Sequence, residues 1–383
     1  MALPKLLFLV TDDRYFISHR LPMARAAKSA GFEVHVGTRV KSFGAAIRSE
    51  GYIVHDLPWE KLKRTPFDII KDIWAIRLLY QSLKPDIVHH IALVPVMFGQ
   101  IAATGLGIAT VNTIAGLGSG FIGRGFKGKL LKSGLVIALR TLLSRRSSIT
   151  VVQNADDRAA LQSIGVPSDS IRLVAGSGVD TDLLKPLPEP EGPITIGIAA
   201  RMLEDKGIRP LVEAQALLRK KGLNTQLLLA GDYDPTNRSA IKIEELQAFA
   251  RQPGVEWLGH IEDIAALWAR CHIAALPSRR EGLPKALLEA ASLGRPLVAT
   301  DVPGCRDVAV DGETGLLVPV DDAKALASAI ETLVRDPALR AKLGANGRRR
   351  VEKLFSSTAI GTEIAAIYRD MAELRIADPQ FAV

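Results

Sequence analysis

The chain is poor in cysteine and in aromatic residues, and each shortage excludes a class of protein. Its two cysteines, Cys271 and Cys305, are too few for a disulfide framework or a metal cage, so we expect two reduced thiols in a cytoplasmic protein. Aromatic residues make up 5% of the 383 residues, they are not interleaved with the basic residues, and no nucleic-acid recognition motif is present. We therefore expect no nucleic-acid partner.

Long apolar runs are also scarce. The run at residues 6–10 is too short for the core of a signal peptide and no small-residue cleavage site follows it, so it predicts a first buried strand. Residues 91–111 are long enough and sufficiently uncharged to span a bilayer. They contain Pro95 and three glycines, however, and they lie within a strand–helix–strand rhythm. A helix followed by a buried parallel strand is the better prediction.

Acidic residues are absent between Asp86 and Asp156. Residues 1–190 hold 24 Lys and Arg against 15 Asp and Glu, whereas the remainder holds 25 against 26. The net charge of +8 therefore lies in the first half of the chain. This asymmetry indicates an anionic partner for that half, such as nucleic acid, a membrane surface or a phosphorylated substrate, and the first of these is the least expected.

The stretch at residues 124–146 concentrates this charge, with seven cations, among them Lys127 and Lys129, and no acid. Its apolar residues recur at nearly helical spacing. A basic amphipathic helix suits an anionic membrane surface and a lipid-diphosphate acceptor. The alternative is a core-packed helix with a solvated basic face.

Short apolar runs alternate with amphipathic stretches along the whole chain, which indicates parallel sheets covered by helices. The segment at residues 184–193 holds alternating prolines and can form neither a helix nor a central strand, so it predicts a linker. We predict an α/β fold of two Rossmann-like, doubly wound domains that face each other across a cleft, where ligands bind at the carboxyl ends of the strands. The predicted parts are an acceptor-binding domain at 1–185, a linker at 186–193, a nucleotide-sugar-binding domain at 194–355, and a C-terminal helix at 356–383 that packs back toward the first domain.

The segment at residues 276–308 carries the most chemistry. A strand ends at Pro277, a polar loop holds Glu281, Pro284 opens a helix, and Glu289 lies on that helix roughly 7.5 Å along its axis. The helix N-terminus attracts anions, and carboxylates accept hydrogen bonds from sugar hydroxyls. By spacing alone, Glu281 could instead cap the helix while Glu289 faces solvent.

The run from Glu281 to Glu289, together with Gly294-Arg295-Pro296, resembles the E-x7-E signature of the retaining nucleotide-sugar glycosyltransferases of family 4, which have the GT-B fold. The resemblance extends in the family's order over most of the second domain. It covers AARMLEDKGIRPLVEA at 199–214, LLLAGD at 227–232, VEWLGHI at 255–261 and DGETGLLVP at 311–319.

The resemblance implies a role for each matching residue. Glu281 would be the catalytic carboxylate beside the transferred sugar, and Glu289 would hold the ribose hydroxyls. Gly282 and Leu283, which follow Glu281 in the motif, would also contact the sugar or the ribose of the donor. Arg201 and Lys206 would bind the donor diphosphate and stabilise the charge of the leaving group without a metal.

No cofactor or metal is expected. The triplet Asp232-Tyr233-Asp234 fits a metal-binding pattern literally, but it follows a strand where the family has an ordinary loop.

The first half departs from the family in two places. It lacks a glycine-rich loop after the first strand, and it has Thr113 and Gly116 where many members have a histidine near the sugar. His19, expected at the start of a helix, is the candidate substitute, as an anion contact or a proton-transfer group, unless it only packs or faces solvent. The other acceptor-side candidates are Arg20, His90 and Gly116. At least one of His89 and His90 could have only a packing role.

The motifs FISHRLP and AGLGSGF resemble those of the family's branch that acts on polyprenyl-linked sugars in surface-polysaccharide assembly. We therefore expect a metal-independent, retaining hexosyltransferase that is peripheral on the inner face of the cytoplasmic membrane. Its donor would be UDP-linked, such as an N-acetylhexosamine, and its acceptor a glycan or an anionic lipid-diphosphate-linked sugar of polysaccharide or lipopolysaccharide biosynthesis. The alternatives are a nucleotide-sugar epimerase on the same fold and a non-catalytic sugar-nucleotide-binding protein.

Overall fold

The computed structural model describes residues 3–58, 65–114, 126–235, 237 and 239–377, with the backbone alone at 126–133. The chain forms two compact units. The first unit comprises residues 1–177 and 358–383, and the second comprises residues 178–357. The helix that begins at Ser357 therefore belongs almost entirely to the first unit.

The first unit is a seven-stranded parallel sheet in the order β3-β2-β1-β4-β5-β6-β7. Its strands are β1 Lys5–Leu9, β2 Glu33–Thr38, β3 Ile53–Asp56, β4 Ile87–Ile91, β5 Ala109–Ile114, β6 Ser148–Val152 and β7 Ile171–Leu173. Its helices are α1 Asp13–His19, α2 Leu21–Ser29, α3 Gly44–Ser49, α4 Pro66–Leu83, α5 Leu93–Ala102, α6 Phe126–Leu143, α7 Ala155–Ser163 and the C-terminal helix Ser357–Ala377. The central strands β1, β4 and β5 are buried along almost their whole length, as expected for a parallel sheet that is covered on both faces.

The second unit repeats this architecture with six parallel strands in the order β10-β9-β8-β11-β12-β13. Its strands are β8 Ile194–Ala199, β9 Thr225–Ala230, β10 Val255–Gly259, β11 Ile273–Leu276, β12 Leu297–Thr300 and β13 Gly315–Val318. Its helices are α8 Ile208–Lys220, α9 Ile243–Ala250, α10 Ile264–Ala269, α11 Lys285–Ser292, α12 Cys305–Val308, α13 Ala323–Arg335 and α14 Pro337–Leu354, and we number the C-terminal helix α15. In both units the strand order reverses direction once, beside the first strand, as in dinucleotide-binding folds.

The proline-rich segment is part of the second unit, so the boundary lies at residue 178 and not at the predicted 185. Arg348 donates hydrogen bonds to the carbonyl oxygens of Leu184 at 2.5 Å and Thr181 at 2.9 Å. Arg295 donates to the carbonyl oxygen of Pro188 at 2.8 Å. Prolines exclude regular structure here, as predicted, but these arginine contacts tie the segment to one unit.

Residues 91–111 form α5 and then the buried strand β5, as predicted from Pro95 and the glycines. Within the part of the chain that the structure describes, no helix is long and apolar enough to cross a membrane. Both cysteines are free and buried. Burial raises the pKa of the Cys271 thiol to about 12, which suits an inert core residue.

One glycine fixes how a loop of the second unit enters its helix. Gly207 joins the short 3₁₀ helix Glu204–Lys206 to α8 with a φ of +70°. A Cβ atom at this position would lie 2.0 Å from the carbonyl oxygen of Pro277. The backbone therefore approaches another loop more closely than any side chain allows.

We expect Gly207→Ala to lower the free energy of unfolding by about 2 kcal/mol or more, because strain at a positive φ adds to a clash with backbone. Gly222→Ala is the matched control. Gly222 has a φ of +80° but open space around the position of a Cβ, so its cost should be nearer to about 1 kcal/mol. Urea denaturation compares the two variants, and equal losses would contradict the close approach.

Candidate functional site

The candidate site lies at the point where the strand order of the second unit reverses. The adjacent strands β8 and β11 are paired in parallel, with Ile273 opposite Ile196. The loop after β8 carries Arg201 and Lys206, and the loop after β11 carries Glu281. Parallel strands bring these loops to the same edge of the sheet, which is where such folds bind ligands.

Lys206 and Glu281 form an ion pair between these two loops. The Nζ atom of Lys206 lies 2.6 Å from Oε1 of Glu281, and the side chains are 17% and 13% exposed. The hydroxyl of Ser278 donates to the same oxygen at 2.7 Å. Oε1 is therefore fully engaged, whereas Oε2 makes no hydrogen bond within the described residues. A hydroxyl of a ligand would find this second oxygen available.

Main-chain contacts hold the loops together around this pair. The amide of Arg279 donates to the carbonyl oxygen of Asp205 at 2.8 Å. Thr300, at the end of β12, donates a short hydrogen bond to the carbonyl oxygen of Ser278. Gly304 has a φ of +77°, and a Cβ there would lie 2.3 Å from the carbonyl oxygen of Gly282. The carboxylate of Glu281 is thus held by three strand ends.

Glu289 lies on α11 behind this loop. Its Oε1 is 3.1 Å from Nζ of Lys285, one turn earlier, and its side chain is 13% exposed. Burial raises the pKa of Glu289 above its ordinary value of 4.5, and the ammonium of Lys285 opposes that rise. Pro284 is the N-cap of α11, and the helix begins at Lys285 without a side-chain cap. Glu281 therefore pairs with Lys206 instead of capping the helix.

Arg201 does not join this cluster. Its side chain is 62% exposed, and Nη1 lies 3.9 Å from Oδ2 of Asp234, at the limit of an ion pair. Of the two predicted diphosphate ligands, only Lys206 contacts the predicted catalytic carboxylate. Asp232 and Asp234 lie in the loop after β9, and Oδ2 of Asp232 is 3.5 Å from Nδ1 of His260.

Among the residues that the structure describes, no group of three or more His, Cys, Asp or Glu could hold a metal ion. The independence from metal stays a prediction.

Three supporting residues escape reasoning from the sequence: Ser278, Thr300 and Gly304. Each contributes through a contact to a residue far along the chain or through main-chain shape, and a serine, threonine or glycine is common in any loop. The one available signal is position, because Ser278 and Thr300 both lie at the carboxyl ends of strands.

The predicted acceptor residues of the first unit begin with His19, which closes α1. It also directly precedes Arg20, the N-cap of α2, so it lies at the predicted start of that helix and, in addition, at the end of a short helix that was not predicted. The ring of His19 stacks on Tyr15 with centroids 4.7 Å apart, and Nδ1 lies 2.7 Å from the Ser18 hydroxyl. Its catalytic role stays a prediction.

Arg20 is a buried cation, 1% exposed, at the junction of α1 and α2. Nη2 donates to the Tyr15 hydroxyl at 3.0 Å, and Nη1 lies 3.6 Å from the sulfur of Met23. Nε has no hydrogen-bond partner, and no carboxylate among the described residues pairs with the guanidinium. A buried charge without a counter-ion is costly, so Arg20 is the strongest anion-binding candidate of this unit.

His90 is a core residue, which removes it from the acceptor-side candidates. It is fully buried, with Nδ1 2.7 Å from Oδ1 of Asn112 and Nε2 2.9 Å from the Tyr80 hydroxyl. Burial lowers the pKa of His90 to about 4. A Cβ on Gly99 would lie 2.3 Å from the imidazole, so this glycine makes room for the ring.

His89 is equally buried and contacts the hydroxyls of Thr113 and Tyr368 at 2.6 and 2.7 Å. Its pKa is well below its ordinary value because of burial and the nearby charge of Arg20. The packing role left open for at least one of the two histidines therefore applies to both.

The remaining predicted acceptor residues are not among those that the structure describes in full. Gly116 lies outside the described residues, and Lys127 and Lys129 lie in α6 where only the backbone is described.

Two family models match the chain. One, described as glycosyl transferase 4-like, matches residues 5–154, and the other, described as glycosyl transferases group 1, matches residues 193–336. Together they span more than half of the chain. The chain is a glycosyltransferase.

Relatives of this glycosyltransferase include the capsular polysaccharide biosynthesis glycosyltransferase CapM of Staphylococcus aureus, 35% identical over 173 residues, which is 45% of each chain. The chain thus spans about half the length of that relative. The N,N'-diacetylbacillosaminyl-diphospho-undecaprenol alpha-1,3-N-acetylgalactosaminyltransferase of Campylobacter jejuni is 27% identical over 354 residues, covering 86% of this chain and 92% of its own.

Solved structures show the same fold. The sucrose-phosphate synthase of Thermosynechococcus elongatus superimposes with a TM-score of 0.81 at 23% identity, over 97% of this chain and 100% of its own. The Anabaena protein HepE, solved in complex with UDP-glucose, gives 0.77 at 18% identity, over 96% and 99%. The predicted GT-B fold of two Rossmann-like domains is confirmed.

The buried carboxylate of Glu289 generates a prediction about pH. A raised pKa means that the native state loses stability as the pH rises through that pKa, whereas below 4.5 the buried group is already neutral. Gln cannot ionise. We therefore expect Glu289→Gln to be more stable, relative to the wild type, at about pH 7 than at about pH 4.

Urea denaturation at both pH values measures this difference. Glu262→Gln is the control, because Glu262 is exposed. A stability difference between Glu289→Gln and the wild type that is the same at both pH values would argue against a buried, destabilised carboxylate.

Proposed function

We propose that the glycosyltransferase transfers a sugar from a UDP-linked donor, such as UDP-N-acetylhexosamine, to a lipid-diphosphate-linked sugar in surface-polysaccharide biosynthesis. The observation that carries the donor assignment is the ion pair of Lys206 and Glu281 at the strand-order reversal of the second unit. It places an ammonium and a half-free carboxylate at the edge of the sheet where nucleotides bind in such folds.

The proposed reaction uses these charges without a metal. The acceptor hydroxyl oxygen forms a bond to the anomeric carbon as the bond from that carbon to the donor phosphate breaks, and the hydroxyl proton passes to the leaving diphosphate. Lys206 and Arg201 stabilise the charge that the diphosphate gains. The free Oε2 of Glu281 accepts a hydrogen bond from a donor sugar hydroxyl, and Gly282 and Leu283 line the donor beside it. Glu289 accepts hydrogen bonds from the hydroxyls of the ribose.

Retention of the anomeric configuration is part of the proposal. It rests on the family resemblance around Glu281 and Glu289. We propose front-face displacement, in which attack and departure occur on the same face of the sugar.

The acceptor assignment has three supports. The first half of the chain carries all of the net positive charge, and Arg20 is a buried cation that lacks a carboxylate partner in the described part of the chain. A relative that covers most of the chain is named for an acceptor with a diphospho-undecaprenol group. An anionic diphosphate would supply the counter-charge that Arg20 lacks.

We also propose that the first unit binds a membrane peripherally, on the inner face of the cytoplasmic membrane, through α4. One face of this helix exposes large apolar side chains at helical spacing. They are Phe67, Ile70, Trp74 and Leu78, which are 74%, 65%, 60% and 49% exposed. An aligned apolar stripe with a tryptophan and a phenylalanine suits the boundary between head groups and acyl chains. The exposed Ile137 and Arg140 on the basic helix α6 suit the same surface.

Separate substitutions test the roles of the two glutamates. We expect Glu289→Ala to weaken UDP binding by about tenfold or more, through lost hydrogen bonds to a charged group. We expect Glu281→Ala to lower kcat by about a hundredfold with a smaller effect on UDP affinity. Thermal shift with UDP, GDP and ADP measures binding, and a ligand at a hundred times its Kd adds roughly 2.7 kcal/mol.

Glu262→Ala is the control for this experiment. Wild-type activity in both Glu281→Ala and Glu289→Ala would end the donor assignment. A larger thermal shift with GDP or ADP than with UDP would show that the donor carries guanine or adenine instead of uracil. NMR of the product reads the anomeric configuration, and an inverted product would refute retention. A new sugar nucleotide formed from donor alone would favour an epimerase.

Flotation with vesicles of phosphatidylethanolamine and phosphatidylglycerol tests the membrane face. We expect Phe67→Ser with Trp74→Ser to lower the partition coefficient at least about tenfold, since each buried aromatic side chain stabilises the bound state by roughly 1.5–3 kcal/mol. Leu183→Ser is the matched control, because Leu183 is an isolated side chain, 78% exposed, in the second unit. Equal partitioning of the double variant and the control would rule out α4 as the contact.

A further inference from the structure

The second unit has a second basic site, away from the ion pair of Lys206 and Glu281. A cavity of about 410 Å³ lies against α14 and the proline-rich segment, lined by Glu189, His272, Arg295, Arg340, Arg348 and Arg349. His272 and Arg295 precede β11 and β12, whereas Glu281 follows β11. The cavity is therefore at the opposite edge of the sheet, roughly 13 Å or more from the candidate donor site at about 3.3 Å per strand residue.

Charge is unbalanced in this cavity. Four guanidinium groups line it against a single carboxylate, that of Glu189. Glu189 Oε1 accepts from Nε of Arg340 at 2.6 Å, and Arg348 pairs outside the lining with Glu352. Nδ1 of His272 accepts from the amide of Thr195, and burial lowers the pKa of this histidine. The lining thus holds more positive than negative charge.

Two of the arginines are buried yet keep part of their guanidinium unused. Arg295 is 3% exposed and uses Nε and Nη2 on the carbonyl oxygens of Trp268 and Pro188. Arg340 is 6% exposed and uses Nε and Nη1 on Glu189 and on main-chain carbonyls. Within the described residues, Nη1 of Arg295 and Nη2 of Arg340 make no hydrogen bond. The contacts of Arg295 to the carbonyl oxygen of Pro188 and of Arg340 to the carboxylate of Glu189 explain how these arginines hold the proline-rich segment. They leave the surplus positive charge of the cavity and the two unused guanidinium nitrogens without an anion.

We propose that this cavity binds a phosphorylated organic anion. Guanidinium groups match the geometry of phosphate oxygens and bind them through charge-assisted hydrogen bonds. The volume exceeds what inorganic phosphate fills and falls within the range of small-molecule sites. The apolar side of the lining, Pro186, Leu187, Pro296, Ala341 and Ala345, is suited to the organic part. The phosphate could belong to a soluble sugar phosphate or to a lipid head group.

Isothermal titration of the full chain tests the site, with saturating UDP present to occupy the donor site. The probes are glucose 1-phosphate for the soluble source and short-chain phosphatidic acid, below its micelle concentration, for the lipid source. We expect at least one probe to bind and Arg349→Glu to weaken that binding by about tenfold or more. Arg349 is exposed at the cavity and bonds only to Asn346 within the described residues, so this variant should fold.

Lys324→Glu is the matched control, because it makes the same charge change at an exposed position outside the cavity, and its binding should equal that of the wild type. Arg340→Lys tests the buried group with the charge kept, and we expect weaker binding with an unchanged UDP affinity. Binding of neither probe, equal affinities of Arg349→Glu and Lys324→Glu, or loss of binding in Lys206→Ala would overturn the proposal. Because UDP binding is measured separately, failure here is distinguishable from failure of the donor assignment.

Discussion

The site of this glycosyltransferase depends on one partly buried ion pair, that of Lys206 and Glu281. Removing two charges from water is costly, and a pair of this kind persists only where further hydrogen bonds compensate. Ser278 supplies one of them, on the same carboxylate oxygen that the ammonium contacts. The close approaches at Gly207 and Gly304 then fix the loops that carry the two charges. The ion pair, the hydrogen bond from Ser278 and the main-chain contacts together hold the carboxylate of Glu281 in one orientation before any ligand binds.

Much of the second unit could be predicted from its sequence, because its signals are local. The strand that ends before Pro277, the loop of Glu281 and the helix of Glu289 occupy a single short segment, and their order alone defines the motif. The alternation of strands and helices likewise predicted two parallel sheets. Short elements at sheet edges, such as β3 and β7, lacked a sufficient apolar run and escaped prediction. The unit boundary also escaped it, because the contacts of Arg348 to Leu184 and Thr181, just before the predicted linker, span 164 and 167 residues of sequence.

The first unit shows where reasoning from residue type fails. His89 and His90 lie near the end of β4. Both side chains are buried in the core, and each makes two hydrogen bonds there. A histidine in a parallel sheet needs partners on both ring nitrogens, and hydroxyls and an amide on neighbouring elements supply them. Only three-dimensional neighbours distinguish such a residue from a catalytic one. Arg20 is the opposite case. It is a candidate ligand for an anion because its buried guanidinium has no carboxylate partner among the described residues and its Nε atom makes no hydrogen bond.

The proline-rich segment is held mainly by carbonyl oxygens of its backbone, and the ion pair of Glu189 with Arg340 is a side-chain contact besides. Arg295 and Arg348 contact main-chain atoms that every amino acid possesses. Apart from Glu189, the side chains along the segment are therefore under little selection from these contacts, whereas the two arginines are not replaceable by lysine without loss of their forked geometry. In related chains the segment should drift in sequence and keep its path, while its arginine partners stay constant.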